Sequence, residues 1–210
     1  MKEKTKSYTF YLKFLLIILL FLFLSACGGV TPGTDFSTIP DTTSFSLTVG
    51  DYYQGGRIAY IFVEGDPGYV PGETHGLIAA TEDQSTDIIW ALPDYQYTFD
   101  GVDTRYTIGS GSANTDKIII QNGEGTTYAA GLARAYRGGG YSDWFLPSRD
   151  ELYQLYLNRD VIGGFADHTW YWSSSEYTST LAWLQYFSYG FQQVKNKFNL
   201  GYRVRAVRAF

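Results

Sequence analysis

The chain has 210 residues, with 16 Lys and Arg against 21 Asp and Glu, a formal net charge of −5 and one cysteine. An acidic balance argues against a nucleic-acid partner, which draws a basic protein. A single cysteine excludes an internal disulfide and any site built from several thiolates.

The N-terminus carries Lys2, Lys4, Lys6 and Lys13, then an unbroken apolar run of eleven residues from Phe14 to Leu24. A bilayer span takes roughly 20 apolar residues, so this run fits an export signal better than a transmembrane helix. Leu24-Ser25-Ala26-Cys27 resembles the bacterial lipoprotein box, in which the cysteine becomes the lipidated first residue after cleavage. Residues 1–26 are therefore expected to form a lipoprotein signal peptide, and Cys27 to join the protein to a membrane. Gly28 after the cysteine favours outer-membrane sorting if the source has two membranes. Removing four lysines and Glu3 leaves 12 basic and 20 acidic residues, a net of −8. A lipidated Cys27 also leaves the mature domain without a cysteine nucleophile.

Residues 27–50 comprise the lipidated end and a spacer rich in Gly, Thr, Pro, Ser and Asp, without periodicity. Residues 51–210 form the folded domain, long enough to bury about 70% of its unfolded surface. Arg57 to Val63 and Gly76 to Ala80 read as short buried strands bounded by glycines. Gly109-Ser110-Gly111-Ser112 reads as a glycine-rich loop, and no Gly-Lys-Ser/Thr follows to make it a phosphate cradle. Thr126 caps an expected helix running to about Tyr136 and ended by Gly138-Gly139-Gly140. Ser148 and Glu151 form an S-x-x-E capping box ahead of Leu152, Leu155 and Tyr156 at helical spacing.

Beyond Gly163-Gly164 the period becomes two. Trp170 to Ser174, Leu181 to Phe187, Phe191 to Lys195 and Tyr202 to Arg208 read as strands, and Asn199-Leu200-Gly201 is expected to turn the last pair into a hairpin. Helices followed by antiparallel strands make an α+β domain.

Five blocks then stand in order: Tyr53-Gln54-Gly55-Gly56, His75 to Ala80, Gly140 to Leu152 with its Asp143-Trp144-Phe145-Leu146-Pro147 core, Tyr171 to Tyr177, and Tyr202 to Arg208. Together they resemble the Lcl C-terminal domain family, named after a bacterial collagen-like adhesin, over about Asp51 to Phe210. The resemblance implies a C-type-lectin-like fold, with two helices packed on twisted antiparallel sheets and the terminal strands close together. In the named adhesin the domain binds sulfated glycosaminoglycans. The chain lacks that adhesin's collagen-like repeat and the Glu-Pro-Asn and Trp-Asn-Asp strings with which C-type lectins hold calcium and sugar. Formylglycine-generating enzymes share the broad architecture, but their chemistry needs reactive cysteines.

The expected function is a non-catalytic binding or adhesion domain for a carbohydrate, an acidic or glycosaminoglycan-like polymer, or another surface macromolecule. An envelope-polymer hydrolase and a structural envelope protein without ligand are the competing classes. Ligand candidates are Lys195, Lys197, Arg203 and Arg205, expected to form one basic patch through the terminal hairpin, with Trp172 and Trp183 as stacking rings. The competing role of the arginines is pairing with acids such as Asp143 or Glu176. Trp144 and Leu152 are expected in the core.

No cofactor is expected. His75 and His168 lie in turns with no H-E-x-x-H, and the Ser173-Ser174-Ser175 run lacks the G-x-S-x-G of a nucleophile elbow, so neither a zinc signature nor a serine triad is read. Glu82, Asp83 and Asp87 offer oxygens to calcium, but their spacing matches no EF-hand loop, and a solvated acidic loop is the expectation.

Overall fold

A computed structural model describes residues 46–95 and 104–210. In chain order its elements are β1 (Tyr52–Tyr53), β2 (Gly56–Ile61), β3 (Gly76–Ala79), α1 (Gly111–Asn122), α2 (Ala129–Ala135), α3 (Arg149–Leu157), α4 (Arg159–Ile162), β4 (Trp170–Glu176), β5 (Leu181–Tyr186), β6 (Gln192–Asn196) and β7 (Val207–Ala209). The fold is α+β, with one antiparallel sheet in the order β1-β2-β3-β7 and a second in the order β4-β5-β6.

The first sheet brings the two ends of the domain together. β3 is apolar and buried throughout, because Ile78 faces one core cluster and Leu77 and Ala79 the other, while β2 and β7 pair with its two edges. Leu77 stands opposite Ala209 and Ala79 opposite Val207.

The second sheet lays Ala182 and Leu184 of β5 and Trp172 of β4 into the main core, with Ile58, Ile78, Ile118 and Val204. Trp90, Trp144 and Trp172 are all fully buried. Each indole N–H finds a backbone carbonyl, on Ser173 at 2.7 Å, Gly138 at 3.2 Å and Ile88 at 2.9 Å respectively. An aromatic ring with a polar edge is stable inside only when that edge is satisfied. Leu152 and Leu155 of α3 enter a second cluster with Phe145, Tyr171 and Phe187.

The α3 start forms as its sequence dictates. Ser148 Oγ accepts the Glu151 backbone N–H at 3.2 Å, and the Glu151 carboxylate accepts the Ser148 N–H at 2.7 Å. The same carboxylate accepts the N–H of Gly109 at 2.8 Å and, more weakly, that of Gly111 at 3.4 Å. One buried carboxyl group therefore accepts the free N–H groups at the starts of both α1 and α3. A Cβ on Gly111 would lie 2.2 Å from Glu151 Oε2, so only glycine lets the α1 start approach.

Three local readings change. The glycine-rich stretch at 109–112 leads directly into the twelve-residue α1, whose buried face is polar: Asn114, Thr115 and Asn122 beside Ile118. Those side chains pin other segments. Asn114 bonds the Arg105 backbone in both senses, Thr115 Oγ1 accepts the Leu146 N–H, and Asn122 Oδ1 accepts the Leu92 N–H. The second helix starts at Ala129, without a side-chain cap from Thr126. The terminal hairpin does not form. Arg203 instead exchanges hydrogen bonds with the backbone of Trp170 and Trp172 on the far edge of β4, Val204 meets Ser85, and only Val207–Ala209 is regular strand.

Candidate functional site

That rerouting disperses the expected basic patch. Lys197 is fully buried and holds Glu176, with its ammonium 4.7 Å from the Trp90 ring centre. Burial lowers the Lys197 pKa, and the bond to Glu176 opposes the shift. Arg205 is also fully buried, because the chain there runs with structure on both sides. Its Nε donates to Asp83 Oδ1 at 2.8 Å, its guanidinium reaches the carbonyls of Ala80 and Gly164, and its Cζ lies 4.2 Å from the Phe165 ring centre. Arg203 donates to the other Asp83 oxygen at 2.9 Å, where the Tyr171 hydroxyl also donates. Arg208 forks onto Asp143 and holds that carboxyl below the ordinary carboxylate range. Arg208 with Asp143 and Lys197 with Glu176 use the acids anticipated as partners; Arg203 and Arg205 share Asp83 instead.

The acidic loop is solvated at Glu82 and Asp87, which are exposed, but Asp83 is turned inward, 9% exposed, with its carboxylate committed. Its two oxygens serve two arginines and a tyrosine, and Asp87 accepts the Gly201 N–H at 2.5 Å. Glu82, Asp83 and Gln84 line an open cleft of about 370 Å³ with Leu132, Ala135 and Tyr136. The Ser173–Ser175 hydroxyls are buried pins: Ser173 donates to the Trp183 carbonyl, Ser175 to the Arg105 carbonyl, and Ser174 accepts from Asn114. His75 bonds Glu73 at 2.8 Å and the Phe210 carbonyl at 3.1 Å, which together raise its pKa.

The two candidate tryptophans part company. Trp172 belongs to the core and presents nothing to a ligand. Trp183, one residue out of phase with Leu184, faces the opposite side of β5. There the Arg149 guanidinium lies over both its ring and that of Tyr106, at 5.2 and 4.6 Å from the ring centres, and the two rings meet edge-on at 6.1 Å. Tyr177 meets the Trp183 ring edge-on at 5.5 Å.

Sequence reasoning passed over the most accessible aromatic feature. The core-facing side of the second sheet runs out of the core at one end, where Trp170 of β4 stands opposite Tyr186 of β5. The β5–β6 register, extended one residue, sets Phe191 opposite Tyr186, and the Tyr186 N–H donates to the Phe191 carbonyl at 2.8 Å. Residues directly opposed across strands share a face. Tyr189, in the turn, completes a row: ring centres are 4.9 Å apart from Trp170 to Tyr186, 5.9 Å to Tyr189 and 6.1 Å to Phe191.

Tyr189 is 65% exposed and Phe191 62%. Gly190 holds this turn against Tyr156, since a Cβ there would lie 2.5 Å from the tyrosine ring. Lys195 lies on the same side of β6, four residues from Phe191 and so about 13 Å away. A signal was present in Trp170, Tyr186, Tyr189 and Phe191 themselves, but their meeting depends on a register that periodicity cannot supply. Cys27 lies outside the described residues.

The model of the Lcl C-terminal domain family matches residues 79–208, more than half of the chain. The matched span holds α1 to α4 and the whole second sheet, while β1, β2 and most of β3 precede it. No curated protein matches the chain. The blocks from Gly140 to Leu152, Tyr171 to Tyr177 and Tyr202 to Arg208 all fall within the match, and the chain belongs to the Lcl C-terminal domain family.

Proposed function

We propose that this protein is an exported lipoprotein, anchored through Cys27, whose domain binds carbohydrate without catalysing a reaction, and that the Trp170–Tyr186–Tyr189–Phe191 row is its contact face. Family membership fits an adhesin-like surface protein. The observation that carries the ligand class is the row itself. Large exposed rings have a cost in water unless a partner covers them, and the apolar C–H face of a sugar ring is a partner of matching size. A sugar also keeps its hydroxyls in solvent while it stacks, which suits a shallow face better than a deep pocket.

The anchor supplies the setting, with the outer membrane as its place if the source has two membranes. A glycan array probed with the full chain, in a detergent without a sugar headgroup, tests the reading. Binding is expected, and it should be lost when Tyr189 and Phe191 both become Ala. Both are mostly exposed, so the fold should survive the change. Equal binding by that double variant would move the site elsewhere, and no binding to any glycan would reject the reading.

A further inference from the structure

We propose that the row accepts a linear, uncharged glycan along several consecutive sugar units, and so discriminates against the polyanions that a basic patch would recruit. The inference rests on the reading of the row as a carbohydrate site and narrows it in length and charge.

Length follows from the spacing. The four rings succeed one another at 4.9, 5.9 and 6.1 Å, with Tyr189 and Phe191 mostly exposed, Tyr186 partly buried and Trp170 partly buried against the core. A lone terminal sugar engages one exposed ring, whereas a chain of several units reaches both and the accessible parts of the other two; each ring stacked adds the modest free energy typical of aromatic contacts.

Shape follows from the tilts. Successive ring planes differ by 42°, 37° and 49°, so no adjacent pair is coplanar. Such a surface follows a single twisted chain and fits poorly against the flat face of a crystalline polymer.

Charge selectivity follows from where the cations went. Lys197, Arg205 and Arg208 are buried against carboxylates of their own chain, and Arg203, 26% exposed, shares Asp83 with Arg205, so the four cations present no common face to a sulfate. Lys195 lies off the row along β6. The turn beside the row adds negative charge: Asp167 is exposed there, and the next residue, His168, donates its backbone N–H to Ser188 Oγ at 2.7 Å. With a net charge of −5 over the chain, long-range repulsion opposes a polyanion before contact. Neutral hydrogen-bonding groups remain at the row. Among the described residues no bond commits the Tyr186 or Tyr189 hydroxyl, and Gln193 is exposed one strand period from Phe191.

The test is calorimetric titration of the full chain, in the same detergent, with gluco- and chito-oligosaccharides of one to six units. Heparin-derived oligosaccharides of matched length serve as the charged series. Neutral chains should tighten by about tenfold or more between two and four units, the amount expected from one or two added ring contacts. Their affinity should be the same at about 50 mM and about 500 mM salt, conditions between which exposed charge interactions are strongly screened. Lys195→Glu should leave it unchanged.

Affinity independent of length would overturn the extended site and leave a single-sugar site standing. Salt-sensitive preference for the heparin series, or a loss with Lys195→Glu, would overturn the selection for uncharged chains. Failure of every oligosaccharide to bind would overturn the carbohydrate reading and this inference together.

Discussion

Replacing Asp83 by Ala strikes the point where the C-terminal segment is fastened. The carboxylate is 9% exposed and meets Arg205 at 0% and Arg203 at 26% side-chain exposure. Removing it leaves the buried Arg205 charge facing only carbonyl dipoles and the Phe165 ring, and breaking a buried pair in this way costs about 3–5 kcal/mol. Arg203 can turn to water, so its share is small, within the roughly 0–1 kcal/mol typical of exposed pairs. Tyr171 loses an acceptor for its hydroxyl, worth about 1 kcal/mol. A total of about 4–7 kcal/mol is a large part of the roughly 5–15 kcal/mol that holds a domain together. With a urea dependence of about 2 kcal/mol per molar, the unfolding midpoint should fall by about 2–3.5 M. Equilibrium urea denaturation followed by tryptophan fluorescence reads this directly, and Arg203→Ala as a companion should cost far less. A midpoint shift below about 0.5 M for Asp83→Ala would mean that water already shares the Arg205 charge, and the buried-hub argument would fail.

Trp144→Ala should cost about 3–5 kcal/mol in the same assay, because the fully buried ring also donates to the Gly138 carbonyl and packs edge-on against Tyr136; an unchanged midpoint would put the ring outside the core. Burial pushes the Glu151 pKa from 4.5 to about 7, against the backbone N–H groups that pull it down. The protonated form is thus favoured on folding, so this contribution is complete below about pH 4.5 and is lost as pH rises through about 7, amounting to about 3 kcal/mol. Urea midpoints across that window should decline with pH in the native chain, with the decline reduced in Glu151→Gln; identical slopes would assign the titration to another group. Cys27→Ser should abolish palmitate incorporation and release the protein from the membrane fraction, and unaltered labelling would locate the anchor elsewhere.

What the sequence made legible was local. Ser148 and Glu151 announce the α3 start because a capping box uses groups only three residues apart. The strands at Trp170–Glu176 and Leu181–Tyr186 were legible too, although Tyr171 to Glu176 are buried without a break, on both sides of β4. α1 was hidden because its inward side carries Asn114, Thr115 and Asn122 while Ile120 is 83% exposed, inverting the usual pattern. Those amides and the hydroxyl are satisfied by backbone groups of distant segments, which no local window contains. The terminal segment misled for a related reason. Arg203 and Arg205 alternate with Tyr202, Val204 and Ala206 as a half-exposed strand would, yet Asp83, more than a hundred residues earlier, makes burial of Arg205 tolerable. The aromatic row shows the same limit, since its members are visible singly and their alignment is a property of register.

The pairing of β3 with β7 also sets the order in which the molecule can be finished. Leu77 waits for Ala209, and Asp83 for arginines 120 and 122 residues downstream. Contacts of such long sequence separation form slowly, because the intervening loop must close before they contribute. A chain emerging from its N-terminus therefore cannot complete the first sheet until its final residues arrive. During synthesis it remains an open thread, and closure of the domain is the last event rather than the first.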